Sequence, residues 1–368
     1  MKIKLYKHEE MLFALLRSSL TQNAADVSVF DGATPEEWRK CYLLAEQQGV
    51  KALAWDGVVT LPKDRRPNKQ LFLNWALAVE KYEHIYEHHC STIAKLSDFY
   101  SQHGISTMQM KGVAFSVYYP RPEHREGGDI DIYTYSSDLS AMSNEQANEL
   151  ADELMRRQGI YVEFPGYKHT VFMYDGIEIE NHKCFLNVKT NKISASIEKV
   201  LKEVLNPVKV SILDGKYTIN VPSDSFNTLF ISFHAMQHTG DGLTLHHLCD
   251  WACILNRCGM DIPSEISNEN YHRALAMFNT FVSRFFGCEA PTSCSESDLE
   301  KFFWLIMRST KERTIETHNP VKIIYLKLRH LYRYAIMRNI ILGEPITKKY
   351  TRALTSHLKN PARIFSKK

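Results

Sequence analysis

Gly128-Asp129-Ile130-Asp131-Ile132 is the stretch on which the fold turns. In an extended strand side chains alternate between faces, so the two aspartates share one face and the two isoleucines the other. The isoleucines anchor the strand in a core. The carboxylates stand about 7 Å apart along the backbone, near enough for their oxygens to converge on one hard cation such as Mg²⁺. Without a cation, a buried pair of like charges would repel.

Working outward, Glu178-Ile179-Glu180-Asn181-His182 repeats the pattern and places Glu178, Glu180 and His182 on one face. Beside the first strand it would add a third carboxylate, from Glu178 or Glu180, which share a facing. Asp175-Gly176 separates strand candidates 169–174 and 177–182 and predicts a hairpin, as does Asp214-Gly215 between 208–213 and 216–221. Upstream, 105–110 reads as a strand, Lys111-Gly112 as a tight turn and 113–119 as a short helix. At such a turn glycine lets the backbone approach a ligand and the first helical amides face an anion. Lys111 adds a point charge there. The loop 120–128 holds two prolines and two glycines, ending at Gly128, and offers Arg121 and Arg125 as clamps for phosphate oxygens. Three carboxylates holding two divalent ions, Mg²⁺ or Mn²⁺, would neutralise a nucleoside triphosphate, orient its α-phosphate and activate an attacking hydroxyl.

Helical patterns flank this centre. Thr34-Pro35-Glu36-Glu37 has the form of a capping box and starts a helix over about 35–49. A longer one runs from Asn68 to about His103; its segment Glu83–His89, rich in ligand types, spreads around more than one face and reads as solvated surface. A helix over 143–158, a strand over 160–164 and helices beyond Pro222 complete an α+β chain. The expected division is an N-terminal helical region (1–103), a mixed-sheet core (104–221) and a C-terminal helical bundle with a basic tail (222–368). The active cleft is expected between sheet and bundle.

With 44% hydrophobic and 24% charged residues the chain is globular in composition, and no run of about eighteen apolar residues could cross a bilayer, so a cytoplasmic location is expected. Eight cysteines form no Cys-x-x-Cys pair, which argues against a zinc ribbon or redox motif; Cys249 and Cys253 read as core. The net charge of +3 is uneven. Residues 321–368 carry twelve Lys or Arg against the single acid Glu344, so this segment is +11 and the remainder −8. That segment reads as an amphipathic helix with a charged outside; a nucleic-acid or membrane-surface partner is the less favoured use. His234 and His238 lack the following glutamate of a metalloprotease helix, and His246-His247 with Asp250 lack the adjacent His-Asp pair of a metal phosphohydrolase.

Lys111-Gly-Val-Ala, Tyr119-Pro-x-Pro, Arg125 and Gly128-Asp-Ile-Asp-Ile together resemble the uncharacterised bacterial nucleotidyltransferase family of the DNA polymerase β-type superfamily, over roughly residues 90–250. The resemblance implies a nucleotidyltransferase-type mixed sheet with metal-binding Asp129 and Asp131, and a third acid best matched by Glu180. It also implies transfer of a nucleoside monophosphate from an NTP to an acceptor, with His182, His234 and Asp250 candidates for the acceptor side. Where the superfamily has Gly-Ser, this chain has Gly112-Val113, without the hydroxyl that often touches phosphate. That favours a second reading, a degenerate member that binds nucleotide or a partner without turnover.

Overall fold

The computed structural model describes residues 3–189, 192–237, 242–260, 262–263, 265–307, 319–347 and 351. Four helices come first: α1 (Lys7–Thr21), α2 (Pro35–Gln48), α3 (Lys51–Thr60) and α4 (Lys69–Ser101). The α2 start is the predicted capping box. The Glu37 amide donates to Thr34 Oγ1 at 3.2 Å and the Thr34 amide to Glu37 Oε2 at 2.8 Å. Asn68 caps α4 by accepting from the Leu71 amide.

The middle of the chain follows as β1 (Ile105–Gln109), α5 (Lys111–Ser116), β2 (Ile130–Ser136), α6 (Asn144–Arg157), β3 (Val162–Glu163), β4 (His169–Tyr174), β5 (Ile177–His182), α7 (Lys192–Glu203), β6 (Pro207–Ile212) and β7 (Tyr217–Pro222). Helices α8 (Asp224–Gln237), α9 (Leu245–Cys258), α10 (Glu269–Phe281), α11 (Glu296–Met307) and α12 (Pro320–Leu342) complete it. The protein is α+β. Its mixed five-stranded sheet has the order β1-β2-β5-β4-β3, with β2 and β5 parallel and the other neighbours antiparallel. The Asp175-Gly176 turn joins β4 and β5 as predicted, with φ of 53° and 80° at its two residues. The Asp214-Gly215 hairpin forms a separate two-stranded sheet beside β1, where Asn220 Nδ2 donates to the Thr107 carbonyl at 3.0 Å.

Alternation along the strands decides what lies behind the sheet. Ile130, Ile132, Phe172, Ile177 and Ile179 pack with Ile93, Leu96 and Tyr100 of α4 and with Ala151, Leu154 and Met155 of α6. A second cluster joins Leu12 and Leu16 of α1, Trp38 of α2 and Trp75 of α4 to Phe230, Trp251, Phe278 and Phe302 of the C-terminal helices, so the two ends of the chain build one core. Cys249 and Cys253 are buried in it, as their pattern suggested.

A buried polar network fixes β5 against β2 and α6. The two Nδ2 hydrogens of Asn148 are shared among Thr134 Oγ1 (3.0 Å), Asn181 Oδ1 (2.9 Å) and the His182 carbonyl (3.0 Å). Asn181 Nδ2 and Thr170 Oγ1 both donate to Asp152 Oδ1, at 2.9 and 2.7 Å. Asn148→Ala strands buried acceptors on β2 and β5, and chemical denaturation is expected to show a loss of about 1–3 kcal/mol in unfolding free energy.

Three expectations need correction. The strand over 160–164 shrinks to two residues, because Tyr161 and Phe164 face solvent and contribute no buried face. Glu83–His89 is not all solvated surface: Tyr86 and His89 are buried, and Glu83 pairs with His124 and Arg121 from the proline-rich loop. On α12 the outward side is not only charged, since Val321, Tyr325, Leu328 and Tyr332 are exposed there; most of the basic tail beyond it lies outside the described residues.

Candidate active site

The parallel pairing of β2 and β5 sets Asp131 opposite Glu180 and Ile130 opposite Ile179. The isoleucines enter the core, so the acids occupy the other face. Asp131 is buried, Glu180 is half-buried, and Asp129, one residue ahead of the strand, is exposed. One carboxylate oxygen from each of the three lies within 4.8 Å of the other two. Glu178, which shares their facing, is exposed and stays outside this group because β2 begins at Ile130, past the residue that would oppose it.

The turn after β1 is pinned to the acidic strand. The Met110 amide donates to the Asp131 carbonyl at 2.9 Å, and Lys111 Nζ lies 2.5 Å from Asp131 Oδ1. Lys111 (φ 37°) and Gly112 (φ 42°, ψ −122°) both take positive φ, and a Cβ at 112 would stand 3.6 Å from the Asp129 carbonyl oxygen. Only glycine takes the Gly112 conformation without strain, which accounts for the Lys-Gly pair at this junction. Gly128 is exposed beside Asp129.

On the other side of Asp131 stands His182, fully buried. Its Nε2 lies 2.8 Å from Asp131 Oδ1 and 3.1 Å from Glu180 Oε2, while its Nδ1 donates to the Cys184 carbonyl at 3.1 Å. The β4–β5 register brings His169 directly opposite His182, with ring centres 5.1 Å apart and His169 Nδ1 3.3 Å from Glu180 Oε2. The segment after β5 is held by Glu198 of α7, which accepts from the Phe185 and Leu186 amides at 3.0 and 2.9 Å.

Electrostatics separate the three acids. Burial opposes ionisation of Asp131, but Lys111 and His182 outweigh it and hold its carboxyl well below the usual range. Glu180 is also held low, its burial offset first by His182. Asp129 makes no ion pair among the described residues: crowding of its carboxyl by protein atoms and then the Asp131 charge raise it above the ordinary value, against the pull of Lys111. The site thus carries an excess of negative charge at the carboxylate nearest solvent.

Sequence reasoning missed two residues of this centre, His169 and Lys168. Burial, then the nearby Lys111 charge, lowers the Lys168 ammonium below its usual range, while Asp131, Glu180 and Asp129 pull in the other direction. Its carbonyl accepts from the Lys183 and Cys184 amides, which fixes it beside the end of β5. Among the described residues its ammonium has no hydrogen-bonded or ion-paired partner.

Other predicted site residues lie elsewhere. Arg121 pairs with Asp56, Glu83 and Glu123 at 3.5, 3.2 and 3.0 Å, an ion cluster completed by buried His124. Arg125 donates from Nε and Nη2 to Asp250 Oδ1 and Oδ2, both at 2.8 Å, and Tyr119 Oη donates to the same Oδ1 at 2.7 Å. Its Nη1 lies 3.4 Å from the Gly112 carbonyl, so Arg125 braces the turn rather than joining the acids. Asp250 is therefore the anchor for Arg125. His234 is buried on α8 with its ring 5.3 Å from Phe230, and His238 falls outside the described residues.

A mixed sheet carrying paired aspartates on one strand and a glutamate on its parallel neighbour, behind a Lys-Gly turn, defines a nucleotidyltransferase-like protein. The chain belongs to the uncharacterised nucleotidyltransferase family, whose model matches residues 34–270. That match takes in α2 to α4 and the C-terminal helices through α9, wider than the 90–250 of the sequence motifs. Among solved structures, the crystal structure of an antigenic nucleotidyltransferase-like protein from Paracoccidioides brasiliensis is similar at 11% identity and a TM-score of 0.35, covering 57% of this chain and 95% of that one. No curated protein matches the chain. Among the described residues no helix is long and apolar enough to cross a membrane.

Proposed function

We propose that the protein transfers a nucleoside monophosphate from an NTP to an acceptor hydroxyl or phosphate, with Asp129, Asp131 and Glu180 holding a divalent cation, Mg²⁺ or Mn²⁺. The observation that carries this reading is the parallel register of Asp131 with Glu180, which gathers three carboxylates in front of the Lys111-Gly112 turn. The residues fit the ion. Three hard oxygen donors suit a hard cation, and the repulsion between Asp129 and Asp131, which adds to burial in raising the Asp129 carboxyl, is one that a dication would offset. When bound, the cation supplies positive charge against the triphosphate and makes the acceptor hydroxyl more acidic.

In the reaction the α-phosphorus gains a bond to the acceptor oxygen and loses its bond to the bridging oxygen of the departing pyrophosphate. The acceptor proton passes to a base, a role open to Glu180 in place of its role as third ligand. Lys111 keeps Asp131 ionised. Lys168, a cation without a partner facing the same charges, is suited to the triphosphate. The core 104–221 would carry the chemistry, the helical regions 1–103 and 222–368 would enclose it, and a cytoplasmic location suits such a substrate.

The test is pyrophosphate release from a panel of NTPs with Mg²⁺ or Mn²⁺ and candidate acceptors. Release that depends on the divalent ion and on Asp129 supports the proposal. Nucleotide binding without release supports a degenerate relative, a reading favoured by Val113 and by the engagement of Arg121 and Arg125 with acids. RNA or vesicle binding through the basic tail that ignores the carboxylates supports a scaffold.

Lys168→Met gives a narrower expectation. Because its side chain is half-buried and its ammonium makes no hydrogen bond or ion pair among the described residues, thermal melting should stay near wild type, while triphosphate affinity by calorimetry falls about tenfold, the worth of one charge-assisted contact.

A further inference from the structure

Beside the three carboxylates lies a second ligand group of different chemistry, His169, Glu180 and His182, whose ligand atoms all lie within 4.8 Å of one another. We propose that this group is a binding site for a first-row transition-metal dication of the Zn²⁺ class, sharing Glu180 with the carboxylate trio. The proposal goes beyond nucleotidyl transfer and does not depend on it.

His182 is already oriented as a ligand. Its Nδ1 faces the Cys184 carbonyl, which can only accept, so Nδ1 carries a proton. Orientation of one ring nitrogen by a backbone carbonyl is the usual support for an imidazole that ligates through the other. That other nitrogen, Nε2, faces Glu180 Oε2 at 3.1 Å and Asp131 Oδ1 at 2.8 Å. Either a second proton or a cation must lie there, since a lone pair aimed at two carboxylates is repelled.

His169 decides between them. Its Nδ1 is buried, stands 3.3 Å from Glu180 Oε2, and makes no hydrogen bond. A proton on His182 does not serve this nitrogen, and His169 would need a second proton of its own to pair with Glu180, whereas one dication satisfies both rings and the glutamate. The separations of 3.1 and 3.3 Å from Glu180 Oε2 match those between neighbouring ligands of an ion bound at about 2.0–2.2 Å. Two imidazoles and one carboxylate form a borderline set that favours Zn²⁺, Co²⁺ or Fe²⁺ over Mg²⁺, unlike the all-oxygen trio next to it. The β4–β5 hairpin fixes the pair, because the two-residue turn at Asp175-Gly176 sets His169 opposite His182.

The test is X-ray absorption and calorimetry on the full chain stripped with chelator and reloaded with one equivalent of Zn²⁺. Wild type is expected to show a nitrogen and oxygen shell at about 2.0–2.1 Å with outer-shell scattering from two imidazoles. His169→Gln should weaken Zn²⁺ by at least about tenfold, the least that loss of a direct ligand costs, while Asp129→Asn retains it. A wild-type spectrum without imidazole scattering overturns the proposal whether or not any variant folds. So does Zn²⁺ affinity unchanged in folded His169→Gln. Loss of Mg²⁺-dependent chemistry with the imidazole spectrum intact would count against the nucleotidyltransferase reading alone.

Discussion

Asp129→Asn is expected to abolish divalent-dependent pyrophosphate release, by at least about 10³-fold, while leaving the folded protein as stable as wild type. The size follows from the several kcal/mol that a bound cation contributes to the transition state, at about 1.4 kcal/mol per tenfold. Retention of the fold follows from where the side chain sits. Asp129 is exposed, and its carboxyl is raised above the ordinary aspartate value by crowding and by Asp131. A carboxyl raised in the folded state favours its protonated form, so its charge weakens the fold as pH climbs past that value. Asparagine carries no charge, and the metal-free variant should melt at or above the wild-type temperature near neutral pH. Asp131→Asn is a poorer probe, because it also removes the ion-pair partner of the mostly buried Lys111. Activity assays beside thermal melts of Asp129→Asn check both halves of the expectation.

Arg125→Ala should do the reverse, lowering the unfolding free energy by about 3–5 kcal/mol. Its guanidinium makes a two-pronged pair with Asp250, with side chains only 6% and 4% exposed, and truncation leaves Asp250 buried, facing the Tyr119 hydroxyl at 2.7 Å and His246 at 3.7 Å but no arginine or lysine among the described residues. Replacing both partners with apolar residues of similar size removes the stranded charge, so Arg125→Met with Asp250→Leu should recover most of the loss. The pair also carries a pH signature. Burial opposes ionisation of Asp250, yet Arg125 outweighs it and holds the carboxyl below its ordinary value of 3.8. Its contribution is therefore complete above that value and is lost as pH falls through the lowered one, and the apolar double variant should lack this acid sensitivity. Were Arg125 instead a phosphate clamp, Arg125→Ala would keep its stability and raise the KM for NTP. Denaturant titrations of the single and double variants distinguish the two.

The local rules carried much of the architecture. The capping box at Thr34, the Asp175-Gly176 turn and the alternation in Gly128–Ile132 each depend on neighbours within a few residues, and each takes the form the sequence implied. Partner choice over long distances was not legible. Arg121 and Arg125 look alike in the loop, and nothing local says that residues 56, 83 and 250 will neutralise them. Glu178 and Glu180 share a facing; the parallel register with β2 separates them, and register is a property of two strands. His169 opposite His182 follows from the tight turn once both strands are paired. Lys168 stands in an irregular segment before β4, where no periodicity assigns a direction to a side chain.

On the proposed function, Asp129, Asp131 and Glu180 together hold the divalent ion that binds triphosphate. Electron paramagnetic resonance of Mn²⁺ titrated into the full chain with a non-hydrolysable NTP analogue tests it most directly. A bound Mn²⁺ signal in wild type that is lost in folded Asp129→Asn is the expected result. Equal Mn²⁺ and nucleotide binding by the two proteins would contradict it.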